Sequence, residues 1–319
     1  MKGSILRLSR LINFIKNKML HKSKKSLIGA VLLLLISPSV MAQTEVSGFY
    51  PQKNELTIAP SYSYKSYDKF YIGTELNDGN PAGLGSISSS IINLFGEYGI
   101  TNWLSASINL PYIYIESETG APDPVLGESS TSGLQDLSLF VKGKIAGTKV
   151  SNLGNLEVGA ALGASIPIGD YEGEGVLSLG NNANAYNLNL LAQFTSSINV
   201  FTELQAGYSL KESSEHAVPN AMVYGAKVGY FNRYFYVHAQ LAIQDSMDGL
   251  DIGTPEFAAA GGPAALPQTE VDFTNINFNL YVPVYKNSIG VSTAYNQNLD
   301  GRNFSKESSF SLGLVYKPL

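Results

Sequence analysis

Beyond residue 42 runs of alternating apolar and polar residues recur about a dozen times, joined alternately by a short turn and a long acidic loop. The clearest run sets Leu156, Val158, Ala160, Leu162, Ala164 and Ile166 against Glu157, Gly159, Ala161, Gly163 and Ser165. A side-chain period of two means a strand with unlike faces. These runs are long enough to cross a bilayer obliquely, which takes about 9–11 residues of tilted strand. One face then meets lipid and the other something wetter.

The spacing predicts strands at 54–66, 87–98, 103–116, 133–146, 154–168, 184–196, 199–211, 220–231, 233–246, 268–283, 288–298 and 307–317. Pro60 in the first costs a ladder hydrogen bond and suits a seam or terminal strand. Two strands resist simple alternation. The second carries apolar residues on both faces, Ile91 and Phe95 against Ile92, Leu94 and Tyr98. The tenth changes parity between Val271/Phe273 and Ile276/Phe278/Leu280, which a bulge near Thr274 reconciles.

Connections alternate in length. Short turns fall at Gly99–Asn102, Gly147–Leu153, Ser196–Asn199, Phe231–Arg233 and Val284–Asn287, and long loops at 67–86, 117–132, 169–183, 212–219, 247–267 and 299–306. In outer-membrane barrels the short turns are periplasmic and the long loops extracellular, so both termini are expected in the periplasm and the strand number is even. An open sheet edge in lipid would leave N–H and C=O groups unpaired at several kcal/mol each. The expected fold is therefore all-β: a closed antiparallel transmembrane barrel of about twelve strands, spanning 54–319.

The N-terminus supplies the route to a membrane. Lys22, Lys24 and Lys25 precede the apolar run Leu27–Ile36, and Val40-Met41-Ala42 forms a small-residue cleavage site before Gln43. Ten apolar residues are half of the roughly 20 that a transmembrane helix needs. Residues 1–42 read as a signal peptide with an N-terminal extension. Met19 offers a second start that leaves an ordinary signal of 24 residues. Residues 43–53 are expected to form a periplasmic segment, with its folding into the barrel left open.

Residues 1–42 hold eight Lys/Arg and no Asp or Glu, so the processed chain keeps 13 basic residues against 26 acidic ones, a formal −13. That balance argues against nucleic acid as a partner. With no cysteine there is no disulfide framework, thiolate metal site or lipid-acceptor thiol.

Glu97-Tyr98-Gly99-Ile100-Thr101-Asn102-Trp103-Leu104, followed by Ile108-Asn109-Leu110-Pro111-Tyr112, resembles the Y-G-(I/L)-T-(D/N)-x-L…L-P-Y hairpin of the MetA-pathway phenol-degradation family of outer-membrane barrels. Gly133-Leu134-Gln135-Asp136-Leu137, Pro167-Ile168-Gly169-Asp170-Tyr171 and Leu299-Asp300-Gly301-Arg302 are similar to other stretches of that family, in order along most of the processed chain. The resemblance implies an outer-membrane channel for small, hydrophobic or aromatic molecules, and no catalytic residues. Phe310, Leu312, Leu314 and Tyr316 resemble the C-terminal pattern read by barrel-insertion machinery, displaced here by Lys317-Pro318-Leu319.

The candidate lumen-lining residues are Asp136, Lys142, Lys144, Glu157, Glu203, Lys227, Tyr234, Tyr236, His238 and Gln240. Rings of such side chains filter solutes, or pair with one another and fill a barrel of few strands. Both readings stand at this point, as does a non-conducting barrel acting in structure or surface interaction. Tyr98, Trp103, Tyr112, Tyr186, Tyr208, Tyr230, Phe231 and Tyr316 are candidates for the aromatic girdles at the bilayer boundaries.

Asp245, Asp248, Gly249 and Asp251 suggest calcium but lack EF-hand spacing, and read as a solvated acidic loop. The same holds for Asp170, Glu172 and Glu174, with divalent bridging to lipopolysaccharide as a weak role. No G-x-S-x-G, H-E-x-x-H or Walker motif occurs, and no cofactor is expected. His238 reads as a luminal polar group rather than the base of a lipid-modifying enzyme.

Overall fold

The computed structural model describes residues 46–318. The signal segment, its expected cleavage between Ala42 and Gln43 and the alternative start at Met19 lie outside them. Among the described residues no helix is long and apolar enough to cross a membrane. The strands are β1 (Leu56–Tyr67), β2 (Lys69–Ile72), β3 (Glu75–Asp78), β4 (Ile87–Thr101), β5 (Leu104–Ser117), β6 (Ser130–Leu134), β7 (Asp136–Val150) and β8 (Gly154–Pro167). They continue with β9 (Asn184–Ser196), β10 (Val200–Glu212), β11 (Ala221–Phe231), β12 (Tyr236–Ser246), β13 (Asp272–Tyr285), β14 (Ile289–Arg302) and β15 (Ser308–Tyr316).

Twelve long strands, all of these except β2, β3 and β6, form one antiparallel sheet in the order β4-β1-β15-β14-β13-β12-β11-β10-β9-β8-β7-β5. Pairing of β4 with β5 closes the ring. Each expected strand is present within a few residues, and β9 falls on 184–196 as read. The parity change in the tenth strand is a register shift between Thr274 and Asn275 of β13. On the apolar-both-sides second strand, β4, Ile92 and Leu94 face out while Asn93 is buried inside. Ile91 and Phe95, on the same parity as Asn93, line cavities within the barrel.

Pro60 and Pro111 sit where the ladder is interrupted. Ala59 and Pro60 have no partner on β15, between the pairs Ile58↔Tyr316 and Ser61↔Gly313, so Pro60 lies at the closing seam. Pro111 lies between two pairing partners of β5, which meets β7 over Leu104–Asn109 and β6 over Tyr112–Glu116. The expected single strand 133–146 is thereby broken at Gln135, whose N–H is turned to the Pro111 carbonyl at 3.0 Å. A proline cannot donate to the ladder, and the neighbouring strand bends to meet the carbonyl that remains.

The extracellular loops are more ordered than their acidic composition suggests. Tyr67, Phe70, Leu84, Ile115, Leu177 and Phe257 are among the buried members of an apolar cluster drawn from four connections. The stretch read as a plain loop at 247–267 contains a helix, α1 (Pro255–Ala259), and a 3-10 turn at Gly262–Gln268. Thr254 caps α1 by accepting from the Phe257 N–H, and Pro255 opens it, start chemistry that the acidic composition masked. The buried Asn303 carbonyl oxygen accepts from the N–H groups of Gly73 and Ile252 at 2.9 and 3.0 Å. Its amide donates to the Leu250 and Glu270 carbonyls, so one side chain joins three loops.

Arg302, at the end of β14, forks onto Asp251 at 2.8 and 2.6 Å and also contacts Glu270. The Arg302 hydrogen bonds hold the Asp251 carboxyl below its ordinary value of 3.8, whereas burial lifts Glu270 above its own despite the same guanidinium. The favourable pH dependence thus belongs to Asp251. Its contribution is complete above the ordinary value and is lost as pH falls through the lower folded one. Arg302→Ala should speed amide exchange at Leu250–Thr254 about threefold to fivefold at pH 7, matching about 1 kcal/mol for a partly exposed network. Wild type should approach the variant as pH drops below the ordinary carboxylate value. Equal exchange in the two proteins at pH 7 would show that the fork does not hold the loop.

Candidate functional site

The lumen is crossed by the chain's own N-terminal segment. Residues Val46–Tyr50 are seated among inward side chains of β7 to β12 by polar contacts at nearly every residue. The Lys142 ammonium on β7 donates to the Ser47 and Phe49 carbonyls at 2.7 and 2.6 Å and to Glu97 on β4 at 3.1 Å. Glu203 on β10, 1% exposed, accepts from the Gly48 N–H at 2.7 Å and from Lys227 on β11 at 2.9 Å. Gln205 donates to the Val46 carbonyl at 2.7 Å and to Glu203. The Tyr50 hydroxyl donates to the Gly143 carbonyl at 3.3 Å, with the Lys142 and Lys144 ammonium groups 4.8 and 5.0 Å from its ring centre.

Two glycines make the seat possible. A Cβ on Gly48 would lie 2.5 Å from Gln193 Oε1 and 2.9 Å from Glu203 Oε2, and one on Gly159 only 1.8 Å from the Tyr50 hydroxyl. Small residues on the inner face of β8 are thus shaped to the segment that lies against them. Val46 completes the seat in a buried cluster with Phe140, Ala161 and Leu191.

Phe49 carries the apolar side of the arrangement. Its ring is edge-on to Phe201, Phe231 and Tyr236 at centroid distances of 5.0, 5.7 and 6.0 Å, and Tyr236 stacks on Phe201 at 5.3 Å. Each such pair contributes about 0.5–1.5 kcal/mol beyond burial. Around this cluster, toward the short-turn end, a cavity of about 900 Å³ is lined by Phe49, Phe95, Tyr236, His238, Asn279 and Tyr281, with Lys142 and Lys227 at its wall. Among the described residues neither His238 nitrogen has a hydrogen-bond partner, and the residue is only 7% exposed.

The expected lumen residues divide unevenly. Lys142, Glu203, Lys227, His238 and Gln240 are buried inside the barrel, and Tyr236 joins the Phe49 cluster. Lys144 pairs with Glu157 beside Tyr50. Asp136 sits toward the extracellular end, accepting from the Tyr171 hydroxyl. Tyr234 departs from expectation: it stands 61% exposed in the β11–β12 turn, with Arg233 over its ring, because β12 begins only at Tyr236. Phe231 also departs, as its ring turns inward onto Phe49 and Phe201 instead of joining a girdle. Tyr98, Trp103, Tyr112, Tyr186 and Tyr316 are exposed on the outer surface, while Tyr208 and Tyr230 are half-buried.

Glu97, Phe49 and Phe201 were missed. Phe49 lies in a segment without periodicity, and Glu97 sits on the strand whose faces could not be told apart. Asp251 and Asp245 do not assemble a cation site; Asp251 is taken by Arg302. Among the described residues no group of three or more His, Cys, Asp or Glu is placed to hold a metal ion.

Residues 90–236 match the sequence model of the family described as "Putative MetA-pathway of phenol degradation". Over that stretch the chain is similar to that family. The fold is similar to that of the COG4313 outer membrane channel from Pseudomonas putida F1, with a TM-score of 0.65 at 17% identity over 86% of this chain and 99% of that one. A NanC porin aligns at TM-score 0.46 and 13% identity over 83% and 100% of the two chains. The translocator domain of autotransporter NalP from Neisseria meningitidis aligns at 0.43 and 11% over 84% and 90%. At such identities the likeness is one of fold. No curated protein matches the chain in sequence.

Because the chain has no cysteine, Ser47→Cys would be its sole thiol. A water-soluble maleimide should label it slowly in the otherwise native barrel and at least tenfold faster once Lys142→Met removes the two carbonyl contacts. Unchanged labelling would mean that Lys142 does not hold the segment.

Proposed function

We propose that this barrel is a passive channel for small, hydrophobic or aromatic molecules, obstructed at rest by residues 46–50. The aromatic-lined cavity of about 900 Å³ beside the seated segment carries the reading, since it combines room for a small organic molecule with a removable obstruction. Asp136, Lys142, Lys144, Glu157, Glu203, Lys227, Tyr236, His238 and Gln240 serve as its inner wall. The outward tyrosines and Trp103 anchor it at the bilayer boundaries.

In this reading residues 1–42 are removed near Ala42/Gln43 on export, the barrel-insertion machinery places the chain in the outer membrane, and the acidic loops face lipopolysaccharide. Among the described residues His238 has no hydrogen-bonded serine or carboxylate that would make it a base. The extracellular apolar cluster favours a second reading, a closed barrel acting in structure or surface interaction.

Planar-bilayer recording and liposome swelling separate the two. Deleting the processed residues before Asn54 should raise single-channel conductance several-fold and admit small uncharged aromatics faster than wild type. If wild type and the deletion are equally impermeant while both are folded and inserted, the channel reading fails and the closed barrel stands.

A further inference from the structure

We infer that the seat of residues 46–50 is a binding site for linear peptides, which takes from solution a free peptide of the pattern apolar, any residue, glycine, aromatic, aromatic. The inference rests on the seat itself and goes beyond the channel reading.

The wall sets polar groups aside for peptide. Of the three protons on the Lys142 ammonium, one goes to Glu97 and the other two to the Ser47 and Phe49 carbonyls. Glu203 accepts from Lys227 and Gln205 on Oε1, which leaves Oε2 for the Gly48 N–H at 2.7 Å. Gln205 also donates to the Val46 carbonyl. The backbone bends at Gly48, so the carbonyls of residues 47 and 49 converge on β7 while groups of residues 46 and 48 turn to β10. Four consecutive residues are thus read through their backbone. The twelve-stranded ring is closed, so a peptide in the lumen has no strand edge to join and is held by side chains instead.

The same seat sets which side chains are accepted. Glycine is required at the third position, because a Cβ there would lie 2.5 Å from Gln193 Oε1 and 2.9 Å from Glu203 Oε2. The fourth position takes a ring among Phe201, Phe231 and Tyr236, and the fifth a ring facing the Lys142 and Lys144 ammonium groups. Val46, in the first, packs with Phe140, Ala161 and Leu191. Among the described residues the Ser47 hydroxyl meets only the Phe49 N–H of the segment itself, so the second position is unread. None of these contacts requires the covalent link to β1. That link makes the chain's own segment an intramolecular competitor, at an effective concentration on the order of millimolar.

The test uses the full processed barrel in lipid nanodiscs and the N-acetylated peptide Val-Ser-Gly-Phe-Tyr-Pro, carrying a fluorophore at its C-terminus. Anisotropy should show it bound about tenfold more tightly by Gly48→Ala, whose own segment no longer seats, than by wild type. On that one variant, alanine in place of the peptide's glycine or of its phenylalanine should weaken binding about tenfold or more, and alanine in place of its serine less than about threefold. Comparing peptides on one barrel keeps folding out of the result. In Ser47→Cys, millimolar unlabelled peptide should speed maleimide labelling several-fold by displacing the tethered segment, and the version with alanine for glycine should not.

The inference fails if Gly48→Ala binds the peptide no more tightly than wild type, or if the glycine and alanine peptides bind alike. It fails equally if adding Gly48→Ala to Ser47→Cys leaves labelling slow. Peptide discrimination without solute flux in bilayers would sustain the site and sink the channel reading; flux without discrimination would do the opposite.

Discussion

Every amide that this chain places in lipid must find its partner within the sheet, and the rest of the structure follows from that requirement. A ring of twelve paired strands meets it, and the ladder is interrupted at two of the wall's prolines, Pro60 and Pro111. At Pro60 the missing donor falls at the seam where first and last strands join, between the pairs Ile58↔Tyr316 and Ser61↔Gly313. At Pro111 the consequence is larger, because β7 leaves β5, Gln135 gives its N–H to the proline carbonyl, and β6 resumes pairing in its own register. A wall that tolerates no unpaired group thus records Pro60 and Pro111 as local changes of architecture.

Closing the wall creates a second problem, an interior too narrow to solvate freely and lined by Lys142, Lys227, Glu97 and Glu203. The N-terminal segment is part of the solution. Its carbonyls receive the Lys142 ammonium and its Gly48 N–H meets Glu203, so the buried charges are satisfied by peptide as well as by one another. Three charge-assisted contacts at about 1.5–3 kcal/mol and two neutral ones at about 0.5–1.5 kcal/mol are of the same size as the roughly 1–2 kcal/mol per residue lost in ordering five residues. Such a segment is held without being locked.

Much of this architecture was legible in the sequence because lipid enforces a strict period of two. Strand positions, the seam proline, the Thr274 bulge and the buried Lys142, Glu203, Lys227 and His238 all follow from which face a residue occupies. What periodicity does not encode was not legible. Val46–Tyr50 is an aperiodic stretch whose seat depends on the space above Gly159, a fact about another strand. Tyr234 and Phe231 were misplaced because the turn takes one more residue than the alternation suggests, so β12 begins at Tyr236 and the phenylalanine ending β11 points inward. The cap escaped notice because its apolar residues are scattered over separate loops and gather only in three dimensions.

The two ends of the barrel are closed by opposite chemistry, and that difference decides which end can yield. The extracellular cap buries Leu84, Leu177 and Phe257 in an apolar cluster, and Asn303 and Arg302 tie its loops across the mouth. Opening it exposes apolar surface to water at about 25 cal/mol per Å², with nothing to replace the lost contacts. Displacing residues 46–50 costs mainly hydrogen bonds to lysine, glutamate and glutamine, each of which water can remake once it enters the lumen. Val46 and the Phe49 ring are the exceptions, and a ligand ring occupying the same aromatic surface would offset the loss of Phe49. A solute that fits the cavity therefore competes with the segment for Tyr236 and Phe201 and lowers the cost of moving it, which couples occupancy of the lumen to its clearance.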